Sequence, residues 1–588
     1  MLNRRRIRPY NIRTLEQSKL RLWKLHKLNP DETSIRSKYN KSKAEYRIAV
    51  KRHESDLEEK VLNSGNQTAF YNHVNRRLKN HSEIGVLKDS NNHDVIHDKY
   101  KADLFNKFFA SVCTLDKDPG PALSNFPELL NIEPLTTVNI TEDDILNTIK
   151  CIKFKSKYSQ GPDGYPNLLL QELKHELLIP LSLMFNTFIS INSIPSTWKQ
   201  AIVTPKYKSG TKSEVNNYRP ISQTSIFCKL LERILVKRIS NYLLNNNLIS
   251  GNQHGFIQKR STLTNLVHSV HDWARDLDNK VHNSIVYVDF SKAFDSVPHK
   301  KLLNKVHSYG IRGNLLNLIS DFLSNRTQVT RVGNSYSSSI RLTSGVVQGS
   351  CIGPLLFVIY INDLATKLTI PSSLYADDAK SYTDYKNGLM QQNMNTLHDW
   401  STIAHLPISF AKCHQLIIES KRKHITAPTI EMGGHKLPTV NSVSDLGVTV
   451  DNKLSFKHHI SRITTKAYQT SGLIFKCFQS RNSKNLIRAY TTYVRPQLEY
   501  CSSVWSPHLQ SHIKLIEKVQ RKFTKRLPGL YNMPYSDRLK KCDLESLELR
   551  RLRNDLTLMY KILFGLTCLH ADNYFKLSPT NDTSQGHQ

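Results

Sequence analysis

The stretch SLYADDAKSY, residues 373–382, places two adjacent aspartates, Asp377 and Asp378, inside a short apolar and aromatic run. The run favours a β-hairpin that would bury Leu374, Tyr375 and Ala376. An unpaired buried charge is costly, so the two carboxylates need a counterpart. Basic side chains, metal ions, or solvent at a loop tip would each provide one.

A third carboxylate lies in SIVYVDFSKAFDSVPHKKLL, residues 284–303, where an apolar strand ends at Asp289 and a turn follows. Taken alone, Asp289 equally fits an aspartate that caps the turn. Together with Asp377 and Asp378 it indicates a metal site, because Mg²⁺ prefers a few carboxylate oxygens plus substrate phosphates. A strand end and a hairpin tip that meet in this way would suit two metals and in-line displacement at phosphorus.

The amino-acid composition limits the classes of molecule that this chain is expected to bind. The chain has 588 residues and a net charge of +33, which favours a polyanion such as nucleic acid or an acidic membrane surface. Its longest apolar run, PLLFVIYI at residues 354–361, is far shorter than the roughly 18 residues of a membrane span, so nucleic acid is the expected partner and a membrane is not.

Nine scattered cysteines without a CxxC pair predict a reduced, intracellular protein with no structural zinc. RRRIR at residues 4–8 fits either a nuclear localisation signal or a solvated basic leader, so nucleus and cytoplasm both remain open.

The hydrophobic pattern divides the chain into three parts. Residues 1–137 are predicted to form a basic helical arm, a helix at 98–112 and a Pro-rich linker at 115–135. Residues 138–460 alternate helical patterns with β-branched strands, which predicts an α+β domain. Residues 461–588 return to helices, including HIKLIEKVQRKFTKRL at 512–527, whose apolar face is flanked by basic residues. Those basic residues suit either nucleic-acid phosphates or plain solvent.

Three phrases in order then make a family resemblance specific. YVDFSKAFDSV (287–297), SGVVQGSCIGPLLFVIYINDL (344–364) and LYADDAKSY (374–382) resemble the A, B and C motifs of a reverse transcriptase of the jockey-like non-LTR retrotransposons. Residues 196–235 and 252–266 resemble the fingers of these enzymes, 443–460 the primer-grip region, and 490–507 the start of the thumb. The resemblance covers most of the chain.

The resemblance implies a right-hand polymerase, with fingers, a palm built on an antiparallel sheet, a helical thumb, and helical extensions at both ends. It implies an RNA-directed DNA polymerase that extends a DNA primer or target with dNTPs on an RNA template. Asp289, Asp377 and Asp378 would hold two Mg²⁺ ions, with Mn²⁺ as a substitute. The N-terminal arm would help to bind the template. The oligomeric state is left open.

Further residues take roles from the same resemblance. Lys208 and Arg219 would grip the triphosphate, and Phe294 would act as the gate against a ribose 2′-hydroxyl. Gln348 and Gly349 match a loop against the template, primer and nucleotide, while Lys412 would protonate pyrophosphate. The departures from the family pattern concern tuning and not a metal ligand: Lys206, Gln223, Val347 and Ser409.

Other interpretations remain at this point. An RNA-dependent RNA polymerase often has a second aspartate where this chain has Phe294, and a Gly-Asp-Asp motif in place of Tyr-Ala-Asp-Asp. A catalytically decayed nucleic-acid-binding scaffold would tolerate loss of the acidic residues, all of which are present. The family normally carries an endonuclease before the polymerase, and no acidic and histidine set before Val138 replaces it. We therefore expect a chain that cannot nick its own target.

Overall fold

The computed structural model describes residues 9–78, 84–113, 132–152, 158–419 and 428–576. The basic leader at 4–8 and most of the expected linker lie outside the described residues. The described helices are, in chain order, α1 (Tyr10–Leu28), α2 (Thr33–Asn63), α3 (Gln67–Leu78), α4 (Asp98–Ser111), α5 (Glu142–Cys151), α6 (Asn167–Glu172), α7 (Leu178–Ile191), α8 (Ile226–Asn245), α9 (Thr262–Asp278), α10 (Ala293–Ser296), α11 (His299–Ser308), α12 (Gly313–Leu323), α13 (Gly353–Lys367), α14 (Leu389–Ile403), α15 (Lys457–Cys477), α16 (Ser483–Ala489), α17 (Arg495–Glu499), α18 (Ser502–Trp505), α19 (Gln510–Lys525), α20 (Tyr535–Cys542) and α21 (Leu547–Leu563).

Short strands alternate with these helices through the middle of the chain. They are β1 (Leu87–Lys88), β2 (Asp94–Val95), β3 (Gln200–Tyr207), β4 (Tyr218–Gln223), β5 (Asn283–Val288), β6 (Thr327–Val332), β7 (Ser335–Tyr336), β8 (Ile340–Arg341), β9 (Ser372–Tyr375), β10 (Asp378–Asp384), β11 (His414–Ile418), β12 (Glu431–Met432), β13 (His435–Lys436), β14 (Thr439–Val440), β15 (Ser442–Asp445) and β16 (Val448–Asp451). This confirms the mixed α and β character predicted for the centre of the chain.

The chain divides into two compact units. The larger unit contains the described residues of Glu83–Phe456 and Thr557–Gln588, and the smaller one those of Met1–Ser82 and Lys457–Leu556. The functional division predicted from the sequence, at residues 137 and 460, stays a prediction.

A five-stranded sheet in the order β14-β11-β5-β10-β9 lies at the centre of the larger unit. β5, β10, β9 and β11 pair antiparallel, and β14 is parallel to β11. β5 is the middle strand of this sheet, and nearly every residue in it is buried, with Ile285 and Val286 fully so. Helix α13 packs into the same core, and its apolar run from Leu355 to Ile361 is buried throughout. The longest apolar run of the sequence is therefore a core helix.

A second sheet, β4-β3-β6-β7, has β8 paired beside β6. Helix α4, the helix predicted at 98–112, covers it with Phe105 and Phe109. These rings pack with Val203 of β3, Tyr218 of β4 and Val332 of β6. The packing fixes the β3–β4 hairpin, which carries two of the predicted phosphate-binding residues.

The smaller unit joins the N-terminal helices to helices from the other end of the chain. Phe70 of α3 stacks on Tyr493 with 4.1 Å between ring centroids. The fully buried carboxylate of Glu58 in α2 accepts the backbone N–H groups of Gln479 and Ser480, at 2.6 and 3.2 Å. In α19, Ile516, Val519 and Phe523 are buried, which confirms the predicted apolar face. In the ranges described above, no helix is long and apolar enough to cross a bilayer.

Candidate active site

The predicted acidic residues converge at one end of the central sheet. Strand β5 stops at Val288, immediately before Asp289, and its register pairs Val288 with Ala379 of β10. Antiparallel pairing therefore sets Asp289 opposite Asp378, the first residue of β10. Strands β9 and β10 form the hairpin predicted from SLYADDAKSY, with Asp377 in its two-residue turn.

The hairpin tip is held from below. Ala376 adopts φ +57, and its backbone N–H donates to the side-chain oxygen of Gln253 at 2.9 Å. Leu374 and Ala376 are buried as expected, while Tyr375 is only half-buried. The apolar flank thus fixes the backbone that presents Asp377 and Asp378.

The three carboxylates repel one another. Burial raises the pKa of Asp377, and the charge of Asp289 adds to the rise. Crowding by protein around the Asp378 carboxyl raises its pKa to about 6, together with the charges of Asp377 and Asp289. The Asp378 side chain is still reached by solvent, which screens part of this repulsion. Such an excess of negative charge fits a site that binds cations.

A positively charged side chain of the protein, Lys412, already pairs with one of the three carboxylates. The Lys412 ammonium donates to Oδ1 of Asp289 at 2.9 Å, and the backbone N–H of Ser409 donates to the Asp289 carbonyl at 2.8 Å. The Ser409 contact uses the main chain, so it does not depend on the residue type at this departure from the family pattern. Among the residues that the structure describes, no three His, Cys, Asp or Glu side chains form a ready-made metal cage. The donor set nevertheless fits Mg²⁺, which takes one or two carboxylates and completes its shell with water and phosphate oxygens.

A cleft of about 510 Å³ opens over these carboxylates. Eight of the nine predicted site residues line it. They are Lys208, Arg219, Asp289, Phe294, Gln348, Asp377, Asp378 and Lys412.

The basic wall of the cleft comes from the β3–β4 hairpin. Arg219 lies in β4 opposite Lys206 of β3, and the Lys208 backbone N–H donates to the Asn217 carbonyl at 2.8 Å. Burial and the neighbouring Arg219 and Lys412 charges lower the pKa of Lys208, against an opposing effect of Asp289 and Asp377. Charges on both sides of the cleft therefore act on the Lys208 ammonium, as expected for a group that binds an anion in the cleft.

Phe294 is held in place by its neighbours. It lies in the short helix α10, where a turn was expected, and its ring stacks on Phe357 at 4.3 Å with 16° between planes. The Phe256 ring is nearly perpendicular to the Phe294 ring, with 6.3 Å between their centroids. The Val346 N–H donates to the Phe294 carbonyl at 2.7 Å. A ring that is fixed in this way presents a rigid surface to the cleft.

Asp295 is a polar residue of the site that the sequence interpretation did not assign. Its carboxylate oxygens accept the Gln348 side-chain amide at 3.2 and 3.1 Å. Burial raises the pKa of Asp295 to about 6, against the opposing charge of Lys292. Both carboxylate oxygens of Asp295 therefore hold the amide nitrogen of Gln348, a residue that lines the cleft. The sequence did offer a signal for this residue, because an aspartate directly follows Phe294, the predicted gate, in AFDSV at residues 293–297.

Gly349 does not line the cleft. It adopts φ +130, and a Cβ there would lie 2.2 Å from the Ser222 carbonyl oxygen of β4. The Ser222 N–H also donates to the Gln348 carbonyl at 2.9 Å. A close approach to the protein's own strand β4 thus requires glycine here, and the predicted contact of Gly349 with nucleic acid stays a prediction.

With this geometry established, comparison with known proteins places the chain. Residues 206–456 match the family model described as reverse transcriptase (RNA-dependent DNA polymerase). Residues 206–456 therefore form a reverse transcriptase domain similar to those of LINE-type elements. Reverse transcriptase domains have the right-hand polymerase fold, which the mixed α and β larger unit matches, and the family uses divalent metal ions.

Several relatives among curated proteins come from mobile elements. The chain is 28% identical over 435 residues to the probable RNA-directed DNA polymerase from transposon BS of Drosophila melanogaster, covering 70% of this chain and 46% of that protein. It is 28% identical over 418 residues to the RNA-directed DNA polymerase from mobile element jockey of the same species, covering 67% of this chain and 44% of that protein. The chain therefore spans less than half the length of these relatives. The jockey-like resemblance read from the motifs is confirmed.

Proposed function

We propose that this chain is the RNA-directed DNA polymerase of a non-LTR retrotransposon, extending a primer 3′-hydroxyl with dNTPs on an RNA template. The observation that carries the proposal is the convergence of Asp289, Asp377 and Asp378 on a cleft whose other wall holds Lys208 and Arg219. Carboxylates facing cations across a cleft are the arrangement that positions a metal-bound triphosphate for in-line attack.

Asp289, Asp377 and Asp378 would hold two Mg²⁺ ions, with Mn²⁺ as a substitute. When bound, the ions lower the pKa of the primer hydroxyl and neutralise the charge of the triphosphate and the leaving pyrophosphate. The mutual repulsion of the three carboxylates supports this assignment, because bound cations would relieve it.

The other residues bind and orient the substrates. Arg219 would contact phosphate oxygens in bidentate fashion, and Lys208 would add a point charge. Phe294, backed by Phe357, would exclude a 2′-hydroxyl, while the Gln348 amide would contact the nascent base pair. Lys412 would leave Asp289 when the cations bind and would then donate its proton to pyrophosphate.

In this assignment the central sheet is the palm, the β3–β4 hairpin belongs to the fingers, and the C-terminal helices 457–556 contain the thumb. The exposed side of α19 carries Lys514, Lys518, Arg521, Lys522 and Lys525. We assign it to the phosphates of the RNA–DNA duplex, which predicts salt-dependent affinity without sequence preference. We also propose an intracellular site of action, in the nucleus, the cytoplasm or both, where template RNA and target DNA are found.

The decisive experiment is primer extension by the purified chain on an RNA template with Mg²⁺, supplied with either dNTPs or rNTPs. We expect extension with dNTPs alone, and none from an Asp377→Ala variant of unchanged melting temperature. Extension with rNTPs would favour an RNA polymerase. A folded chain that binds RNA and extends nothing would identify a decayed scaffold.

A further inference from the structure

Helix α21 carries an apolar face that is exposed to solvent. Five apolar residues of this helix follow one another in steps of three and four, which is the spacing of the seam in a two-stranded coiled coil. Their exposed fractions lie between 37% and 54%. These seam residues are Leu549, Leu552, Leu556, Met559 and Leu563.

Other residues of α21 hold the helix on the protein. Leu547, Arg551 and Ile562 are 0%, 2% and 4% exposed. At 3.6 residues per turn, these buried residues project roughly 120° away from the seam residues. A surface helix normally has one apolar stripe, which faces the core, and a polar remainder. Because α21 has a second stripe, and exposed apolar patches mark interaction sites, the seam is a candidate docking surface.

The exposed patch extends to the end of the helix and past it. Tyr560 and Phe564 are 54% and 65% exposed, and their ring centroids lie 4.4 Å apart. Leu566 is 51% exposed and follows Gly565, whose φ of +63 is typical of a helix C-terminus. The Leu566 N–H donates to the Lys561 carbonyl at 2.8 Å. The patch is thus already folded, so association would not include the free-energy cost of forming the helix.

We infer that α21 is a self-association surface, on which α21 of a second copy of this chain docks in the antiparallel direction. Leu556 would pack on Met559 of the second copy. Leu552 would pack on Leu563 of the second copy. Two-fold symmetry repeats both contacts, so the surface is self-complementary and the association closes at a dimer.

The spacing of the seam favours a second copy over a helix of another protein. A half-turn about the point midway between Leu556 and Met559 brings every seam residue onto another apolar residue. It also brings Leu549 onto Leu566 in the turn beyond the helix. No layer of the dimer would then bury a charge, which would be costly without a counterpart.

The residues beside the seam agree with this pairing. Arg553 and Tyr560 are seven residues apart and flank the seam on the same side. The half-turn therefore brings the Arg553 guanidinium toward the Tyr560 ring of the second copy, where cation–π attraction is favourable. The Arg553 side chain is 61% exposed, and its pairing with Glu545 leaves room for this contact.

The size of the patch predicts a weak dimer. Side chains exposed to this degree would bury on the order of 500 Å² per chain, or about 1,000 Å² in the dimer, which is near the lower limit of specific interfaces. We therefore expect a dissociation constant on the order of micromolar. The association needs no polymerase activity, so the inference goes beyond the proposed function and is tested independently of it.

Two charged variants test both the association and its direction. Leu552→Lys and Leu563→Glu each bring a charge into the seam, so each variant alone should be a monomer. An equal mixture of the two should again form a dimer. In the antiparallel arrangement the introduced lysine meets the introduced glutamate in one layer, while the other layer keeps Leu563 of one chain against Leu552 of the other. Both positions are exposed, so circular dichroism should show the wild-type fold in both variants.

Sedimentation velocity of the full chain, freed of nucleic acid, would measure the oligomeric state from about 1 to 50 µM, around the expected dissociation constant. Leu183→Lys is the matched control, because Leu183 of α7 is 67% exposed and lies outside the patch, and this variant should dimerise as the wild type does. A wild-type chain that stays monomeric over this range, or a Leu552→Lys variant that dimerises equally well, would overturn the inference. A mixture that stays monomeric would overturn the antiparallel pairing.

Discussion

The ammonium of Lys412 lies 2.9 Å from Oδ1 of Asp289. The proposed proton donor is therefore paired with a proposed metal ligand. Binding of Mg²⁺ at Asp289 would release Lys412 toward the leaving phosphates, which couples the loading of the site to the delivery of the proton.

Lys412→Arg should lower the rate of nucleotide addition by about 100-fold, the lower end of the usual effect of general acid catalysis. Arginine keeps the positive charge beside Asp289 but does not release its proton. The KM for dNTP should change little, and single-turnover kinetics would measure both quantities. Lys436→Arg is the control, because Lys436 is an exposed lysine that also faces a carboxylate, Glu431, at 3.8 Å. An unchanged rate in Lys412→Arg would exclude Lys412 as the acid.

Asp378→Asn should stabilise the metal-free protein while it abolishes extension. The pKa of Asp378 is raised to about 6 in the folded chain, by crowding and by Asp377 and Asp289. The folded state then binds more protons than the unfolded state between about pH 4 and pH 6, so wild-type stability falls as pH rises through this window. The gain in melting temperature from the substitution should therefore be small below about pH 4, should grow through this window, and should reach its full size above pH 7.

Added Mg²⁺ provides the complementary measurement. At pH 7.5 it should raise the melting temperature of the wild type, because ligands that bind only the folded state stabilise it. It should have less effect on Asp378→Asn. Asp399→Asn, at an exposed position of α14, should behave as wild type in both experiments. An equal Mg²⁺ response in all three proteins would contradict the metal assignment.

Phe294→Ala should weaken the preference for dNTPs over rNTPs by about tenfold or more, since removal of a steric barrier changes the ratio of kcat/KM values directly. Phe256→Ala is the matched control, because the Phe256 ring touches the edge of Phe294 but does not line the cleft. Competition between labelled dATP and ATP during primer extension would measure the ratio. An unchanged ratio in a folded, active Phe294→Ala variant would remove Phe294 from the role of sugar gate.

Gly349→Ala should destabilise the larger unit and slow extension. Strain at a disfavoured φ costs about 1–3 kcal/mol, and the loop would also have to move away from Ser222. Gly388 is a fair comparison, since it has φ +67 and, among the described residues, nothing lies within 4 Å of its would-be Cβ. Gly388→Ala should lose only about 1 kcal/mol and keep its activity. Urea unfolding beside primer extension would compare the two variants.

Local patterns predicted the elements that carry the site. The apolar and aromatic run in residues 373–382 predicted the hairpin, and the end of an apolar strand located Asp289. What could not be predicted were contacts across long separations, such as Gln348 with Asp295, Lys380 with Asp445 and Gly349 with Ser222. Periodicity tells which face of a strand is buried, but not which distant residue meets that face. The approach of Gly349 to Ser222 is one such contact, and the predicted place of Gly349 beside nucleic acid stays a prediction.

Glu58 has a consequence for how this chain can be shortened. Its carboxylate is the acceptor for two backbone donors beyond the end of α15, and Phe70 covers the ring of Tyr493. A chain that starts at residue 83 would keep those donors and that ring but lose what covers them. Removal of the first helices would thus damage a module more than 400 residues downstream, and minimal enzymes should be designed by trimming elsewhere.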